Sequence, residues 1–479
     1  MLFNSLNFLI FLLIVVSVYY ILPHKFRWVF LLFASCYFYM AWKAELIVLI
    51  LFSTFINYIC AVLMDKHRQK AKAILTISLI INFGMLFVFK YLLLINQTVI
   101  YFFGKSTLGN FNIILPMGIS FYTFQAVGYT IDVYRQAVKP QRNYFKFTLF
   151  ITFFPQLVAG PIERTENLMP QLFEKTDFKL SNILEGAKIM SYGFFMKIVI
   201  ADRASIIVNT VYNSPKFHGF LGFFIATILF AVQIYCDFAG YSEIAMGCAK
   251  MLGIDLMRNF LSPYFSKNVK EFWRRWHISL SGWFKDYVYI PLGGNRRGKS
   301  REHINLMATF LLSGIWHGAN WTFLFFGALN GLYQVIGSIK DNLLKRPKNY
   351  KGNPLTNIFR VATTFMLVGV SWIFFRANTV EDAFYIITHF FWGFRDSLSA
   401  QGTYNAINAL GANIVEMLVL LVSIIFLFIV DFIQKDDYIH HILNRKFFLI
   451  RYAFYYFVIT AILLTGVFTS GSEFIYFQF

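Results

Sequence analysis

The sequence predicts an all-α polytopic membrane protein, and three observations carry that expectation. Of 479 residues, 58% are hydrophobic and only 14% charged, against about 25% charged in soluble domains. Mean hydropathy is +0.57. The apolar residues also fall into runs close to the roughly 20 residues that a membrane-spanning helix requires.

Taken in order, spans are expected near 5–22, 27–41, 44–64, 73–95, 113–134, 184–212, 217–237, 318–339, 356–376, 411–433 and 448–468. The second is short, and 303–316 reads as a partial or re-entrant segment, so the expected count is about 11 or 12 crossings. The first run, Leu2 to Leu22, precedes Pro23-His24-Lys25 and further apolar sequence. Without a basic leader or a small-residue cleavage site, it reads as a retained span rather than a signal peptide. No repeat, low-complexity tract or separate soluble domain interrupts the pattern, and a single integral membrane domain over 1–479 is expected.

Two apolar stretches are broken. Phe153-Phe154-Pro155-Gln156-Leu157-Val158-Ala159-Gly160-Pro161 carries two prolines and a glycine, and irregular backbone at membrane depth survives only where protein or a water-filled cavity covers it. Gln233 to Gly247 mixes Gln233, Asp237, Ser242 and Glu243 with apolar residues. Both are expected to be re-entrant, cavity-lining segments.

Net charge is +19 and unevenly placed. Arg258 to Arg301 holds ten Lys/Arg against Glu271 and Asp286, and smaller basic loops occur at 65–72, 135–146, 340–351 and 435–451. By the positive-inside rule these loops mark the cytoplasmic side and place the N-terminus outside. The C-terminus is also outside if 303–316 crosses. Because hydrophobic spans separate the basic loops and no nucleic-acid-binding motif accompanies them, a nucleic-acid partner is not expected. Cys36, Cys60, Cys236 and Cys248 lie in or beside apolar segments without CxxC spacing, which argues for packing rather than disulfides or zinc.

The most pointed residue is His317, in the run Leu311-Leu312-Ser313-Gly314-Ile315-Trp316-His317-Gly318-Ala319-Asn320-Trp321. A helix over 303–316 would be roughly 21 Å long, short of the roughly 30 Å hydrocarbon core, leaving His317 inside the membrane. An intramembrane ionisable side chain is a functional-site hypothesis by default; a histidine bonded to a neighbouring carbonyl is the alternative.

Upstream, Asn268 to Arg301 interleaves Phe272, Trp273, Trp276, Trp283, Phe284, Tyr287 and Tyr289 with Lys270, Arg274, Arg275, Lys285, Arg296 and Arg297. This is the composition of amphipathic helices lying in a membrane interface. It suits anchoring to anionic lipid headgroups. It equally suits a polyanionic donor such as the phosphates of an acyl-coenzyme A or an acidic carrier protein. Pro291-Leu292-Gly293-Gly294-Asn295 is not a P-loop, since the GxxxxGK[ST] spacing is absent. There is no Gly-x-Ser-x-Gly elbow, HExxH or carboxylate pair for glycoside chemistry. A buried histidine near a basic aromatic platform, with His277 inside it, fits acyl transfer from a thioester. That reaction needs a base and oxyanion donors but no metal.

Five blocks carry a resemblance: FPQLVAGPIER at 154–164, QIYCDFAGYSEIAMG at 233–247, KEFWRRWHISLSGWFKDYVYIPLGGNRRG at 270–298, SGIWHGANWTFLFFGALNG at 313–331 and the terminal FIYFQF at 474–479. Together they resemble the membrane-bound O-acyltransferase superfamily, and within it the bacterial alginate O-acetyltransferase membrane subunits. The resemblance implies a ring of tilted helices around a central funnel with a thin floor near the buried histidine. It places the family's catalytic histidine on His317 and its second histidine on His277. In the motif reading Ala328-Leu329-Asn330-Gly331, many alginate-type members carry a histidine. Here Asn330 cannot supply a base, and any contribution is limited to hydrogen bonding.

The resulting expectation is a multi-pass enzyme of the bacterial cytoplasmic membrane that holds no permanent cofactor. It would take an acyl group, foremost acetyl, from acetyl-CoA or another acyl thioester. It would pass that group toward hydroxyls of an extracytoplasmic polysaccharide through an SGNH-type esterase or transferase subunit. Arg274, Arg275, Arg296 and Arg297 are the expected donor contacts. D-alanyl transfer to teichoic acid from a carrier protein is the nearest alternative, and a polysaccharide or lipid transporter is an alternative of another class. A transporter would show paired interrupted helices in two halves, and none is evident.

The terminal Phe474-Ile475-Tyr476-Phe477-Gln478-Phe479 has Phe-x-Tyr-x-x-Phe spacing. It resembles the end of the small membrane peptide that accompanies teichoic acid D-alanyl transfer. Tyr476 is either part of an aromatic end packed at the interface or a nucleophile that reaches His317 from the outer side, carries the acyl group and passes it to a partner serine.

Overall fold

The computed structural model describes residues 1–104, 114–158, 160–344, 353–435, 437–468 and 474–475. Among them the regular elements are all helical and no β-strand occurs. Each apolar run read from the sequence falls on a helix, because a segment in lipid must satisfy its own backbone groups. Among the described residues, seven helices have the length and hydropathy to cross a membrane: Ala44–Lys66, Arg68–Tyr91, Phe220–Met251, Trp321–Leu343, Pro354–Arg376, Ile414–Gln434 and Phe448–Thr465. The Leu6–Ile21 helix is apolar but shorter, with 16 residues.

Contacts divide the chain into two compact units, residues 1–190 with 241–258 and residues 191–240 with 259–479. In the first unit the Ile119–Tyr134 helix is buried on nearly all faces, as expected of a helix apolar around its circumference. It is tied to Ile47–Lys66 and Ala71–Leu86 by a closed polar network. Asn57 Oδ1 accepts from Thr130 Oγ1 at 2.7 Å and Ser78 Oγ at 3.1 Å, and Asn82 Oδ1 accepts from Ser53 Oγ at 2.8 Å and Asn57 Nδ2 at 2.9 Å. Lipid tails are as apolar as leucine, so such bonds specify helix pairing in place of a hydrophobic drive.

The Pro-rich stretch after Thr152 is irregular and buried, as its composition predicted. Its environment answers for its polar groups: Phe154 N–H donates to Ser35 Oγ at 3.1 Å, and the Gln125 and Gln156 amides both donate to the Phe150 carbonyl, at 2.9 and 2.7 Å. Glu163 ends the stretch by accepting the Met257 N–H at 2.5 Å and the Asn167 amide at 2.7 Å.

One expectation is corrected. Gln233 to Gly247 is not re-entrant; it lies within one continuous helix, Phe220–Met251, of 32 residues. It contains no proline, and its polar residues are accommodated inside protein instead of breaking the helix: Asp237 is 2% exposed and pairs with Lys197 at 2.5 Å. The 303–316 segment lies in a regular helix, Lys299–His317, of 19 residues, which is not among the helices with the length and hydropathy to cross. It starts earlier than its apolar run because Lys299 and Glu302 pair at 3.0 Å across its first turn, and Glu302 there favours the helix dipole.

In the second unit this helix and Trp321–Leu343 form an antiparallel hairpin. Glycines let the two backbones meet. A Cβ on Gly314 would strike the Phe323 carbonyl, and one on Gly327 would lie 2.5 Å from that of Phe310. This is the small-residue packing of membrane helix pairs.

Candidate active site

The hairpin determines where His317 sits. It is the last residue of Lys299–His317, followed by Gly318 in extended conformation, and Asn320 then caps the next helix through its side chain. The turn is this tight because Gly318 packs on the Phe323 ring, where a Cβ would collide. His317 is 3% exposed. Its ring lies 5.0 Å from Trp316, 5.2 Å from Phe375 and 5.6 Å from Phe326, in an aromatic enclosure drawn from three helices.

His277 borders the same indole, with 6.0 Å between its ring and that of Trp316. It is fully buried, edge-on to Phe238 at 4.5 Å. It joins the short helices Val269–Arg275 and Ile278–Phe284 with φ of +44°, a left-handed conformation uncommon outside glycine and enriched at functional sites. Asn259 holds the ring. Its Oδ1 lies 3.2 Å from His277 Nδ1 and accepts both the Ser279 N–H at 3.2 Å and Ser279 Oγ at 2.9 Å. A backbone N–H can only donate, so the amide oxygen is fixed toward the histidine. Neutral His277 therefore carries its proton on Nδ1 and its lone pair on Nε2.

Asn330 donates to the Phe326 carbonyl at 2.9 Å and accepts from Trp273 Nε1 at 3.1 Å. The hydrogen-bonding role left open to it in place of a histidine is the one it fills. It couples the hairpin to the basic platform.

The platform differs from an interfacial amphipathic helix in where its aromatics point. Phe272, Trp273, Trp276, Trp283 and Phe284 are buried; Trp276 packs against Trp372 at 5.1 Å and Phe272 at 5.4 Å. Arg274, Arg296 and Arg297 are exposed. Arg275 stands apart: it pairs with Glu271 at 3.2 Å and donates to the carbonyls of Leu261 and Lys435, which makes it a brace between loops. Tyr476 lies outside the described residues. The two residues before it, Phe474 and Ile475, are buried at 3% and 4% exposure.

Sequence reasoning missed Asn259, Trp372 and Phe375, none of which carries a local signal. It also passed over Lys197 and Asp202 within the span read at 184–212, although charged residues inside an apolar run were a usable signal.

The described residues thus form a polytopic helical membrane protein in which two histidines are enclosed by aromatic rings and the platform that carries one of them exposes arginines. The chain belongs to the membrane-bound O-acyltransferase (MBOAT) family, whose sequence model matches residues 135–375, and it is an O-acyltransferase. It is similar to the probable alginate O-acetylase AlgI of Azotobacter vinelandii, at 36% identity over 84% of this chain and 81% of the relative. It also resembles the peptidoglycan O-acetyltransferase of Helicobacter pylori, at 33% identity over 74% of this chain and 72% of the relative. A teichoic acid D-alanyltransferase of Streptococcus thermophilus is more distant, at 29% over 57% of this chain and 69% of the relative.

Proposed function

We propose that this enzyme takes an acetyl group from a cytoplasmic thioester, acetyl-CoA or another acyl carrier. It delivers the group to hydroxyls of an extracytoplasmic polysaccharide through an SGNH-type partner at the bacterial cytoplasmic membrane. The observation that carries the reading is His317, enclosed among aromatic rings at the hairpin turn, in a chain whose more similar relatives are named for O-acetylation of alginate and of peptidoglycan. Purified protein in vesicles, given radiolabelled acetyl-CoA inside and acceptor plus partner outside, tests it. Labelled acceptor is expected; label transferred only from a D-alanyl carrier protein would transfer the chain to the teichoic acid branch.

In the proposed reaction His317 takes the proton of the attacking hydroxyl as its oxygen adds to the thioester carbonyl. The tetrahedral oxyanion collapses, the C–S bond breaks, and the imidazolium returns the proton to the departing thiolate. The attacking group in the first transfer is Tyr476. A phenol with an ordinary pKa near 10 needs such a base at neutral pH, and the aryl ester it forms is activated toward a serine alcohol. Second transfer to the partner serine breaks the aryl ester and restores the phenol.

His277, which borders the same Trp316 ring as His317, supports it in this reading, which gives Asn259 a measurable role. Asn259→Leu removes the acceptor and is expected to slow acyl transfer about tenfold or more. Asn259→Asp keeps an acceptor and should retain most activity; equal rates for both variants, on monodisperse protein, would remove Asn259 from the reaction.

Arg274, Arg296 and Arg297 are the proposed phosphate contacts, since guanidinium suits bidentate phosphate recognition. Neutralising Arg274 and Arg296 together should weaken donor binding and flatten its dependence on salt. Unchanged affinity across a salt titration would return them to lipid anchoring. Arg275, braced by Glu271 and two carbonyls, is expected to affect folding yield instead.

A further inference from the structure

The second unit contains a buried ion cluster that the acyl-transfer chemistry above does not use. Lys197 Nζ lies 2.8 Å from Asp202 Oδ1 and 2.5 Å from Asp237 Oδ1, and all three side chains are under 10% exposed. Lys197 belongs to a seven-residue π-helical segment, Phe195–Ala201, and Asp237 to the Phe220–Met251 helix. Ion pairs in such surroundings seldom add stability over apolar residues of the same volume, because desolvation offsets the attraction. Packing alone therefore does not account for three charges in the middle of apolar helices.

The second oxygen of Asp237 has a different partner. Asp237 Oδ2 accepts the backbone N–H of Ile475 at 2.8 Å, across 238 residues of sequence. The same region of the π segment meets the chain earlier in its C-terminal course. The Ile198 carbonyl accepts the Val467 N–H at 3.1 Å, and Arg203, next to Asp202, donates to the Thr465 carbonyl. π-Bulges concentrate at functional sites, and here one contributes the carbonyl that receives the tail. Phe474, adjacent to the anchored amide, lies 5.6 Å from Phe238, whose ring in turn meets His277 at 4.5 Å.

We propose that Lys197, Asp202 and Asp237 form a clamp that docks the C-terminal tail beside the histidine site, with Asp237 as the positioning residue and the Ile475 amide as its ligand. Lys197 neutralises and orients Asp237 so that one carboxylate oxygen stays directed at the tail. An apolar side chain there would fill the space without holding the Ile475 amide. The docking stands without Tyr476 chemistry; its consequence for catalysis rests on the acyl-relay reading of Tyr476.

Carboxypeptidase digestion of the detergent-solubilised full chain, read by intact mass, tests the clamp. Trimming of the wild-type chain is expected to stall before Ile475 is removed. Asp237→Ala deletes the acceptor and should let trimming remove Ile475 at least tenfold faster, consistent with loss of a hydrogen bond to a charged group. Ile475→Val, which keeps the N–H, should stall like wild type. Chromatographic monodispersity identifies a variant that fails to fold, and amide hydrogen exchange of the C-terminal peptide in the wild-type chain then decides alone, with a protected Ile475 N–H expected. Trimming of monodisperse Asp237→Ala at the wild-type rate, or an Ile475 N–H that exchanges as fast as in a free peptide, overturns the clamp. The relay reading fails separately: Tyr476→Phe would then keep both a protected tail and full acyl transfer.

Discussion

A chain carrying His317→Ala is expected to lose acyl transfer by roughly a hundredfold or more, the scale of losing a general base, while remaining folded in the membrane. The turn that places His317 is shaped by Gly318 and by the Asn320 cap, so removing the imidazole does not remove the turn. It does leave a space among Trp316, Phe326 and Phe375. His317→Gln is therefore the companion variant, since it keeps volume and polarity without basicity. Both variants should be inactive at equal protein levels, as measured by release of free thiol from the acyl donor together with acetylation of the acceptor. Near-normal turnover by His317→Gln would move the base to His277, whose Nε2 carries the lone pair in the neutral ring.

Tyr476→Phe is the second change with a large expected effect. It removes one oxygen from a residue directly following Ile475, whose amide is held by Asp237. Acetylation of the partner should fall to background, and label from radiolabelled donor should disappear from the C-terminal peptide. Donor binding should stay unchanged, because the arginine platform is not altered. A Tyr476→Phe chain that fully acetylates the partner would reduce the terminal aromatics to packing.

Helix positions were legible in the sequence because the bilayer imposes a demand on each residue of a span separately. A run must be apolar along its length, whatever it packs against. The runs at 44–64, 356–376 and 411–433 accordingly meet the helices Ala44–Lys66, Pro354–Arg376 and Ile414–Gln434. The same logic misled at Gln233 to Gly247. Polar residues in an apolar run signal either a break or an internal partner, and sequence order does not reveal that Lys197 lies against Asp237.

Composition and motif were thus enough to determine a polytopic helical O-acyltransferase, with His277 and His317 as its candidate histidines and a basic surface before them. Tertiary structure alone decided how those residues are held. It turned the platform's tryptophans inward, committed Arg275 to Glu271 and two carbonyls, fixed the proton of neutral His277 on Nδ1 through Asn259, and brought Ile475 to Asp237. The physical reason is that burial in lipid is a local property of each segment. Orientation, by contrast, comes largely from directional bonds between residues as far as 238 positions apart, which leave no periodic trace in the chain.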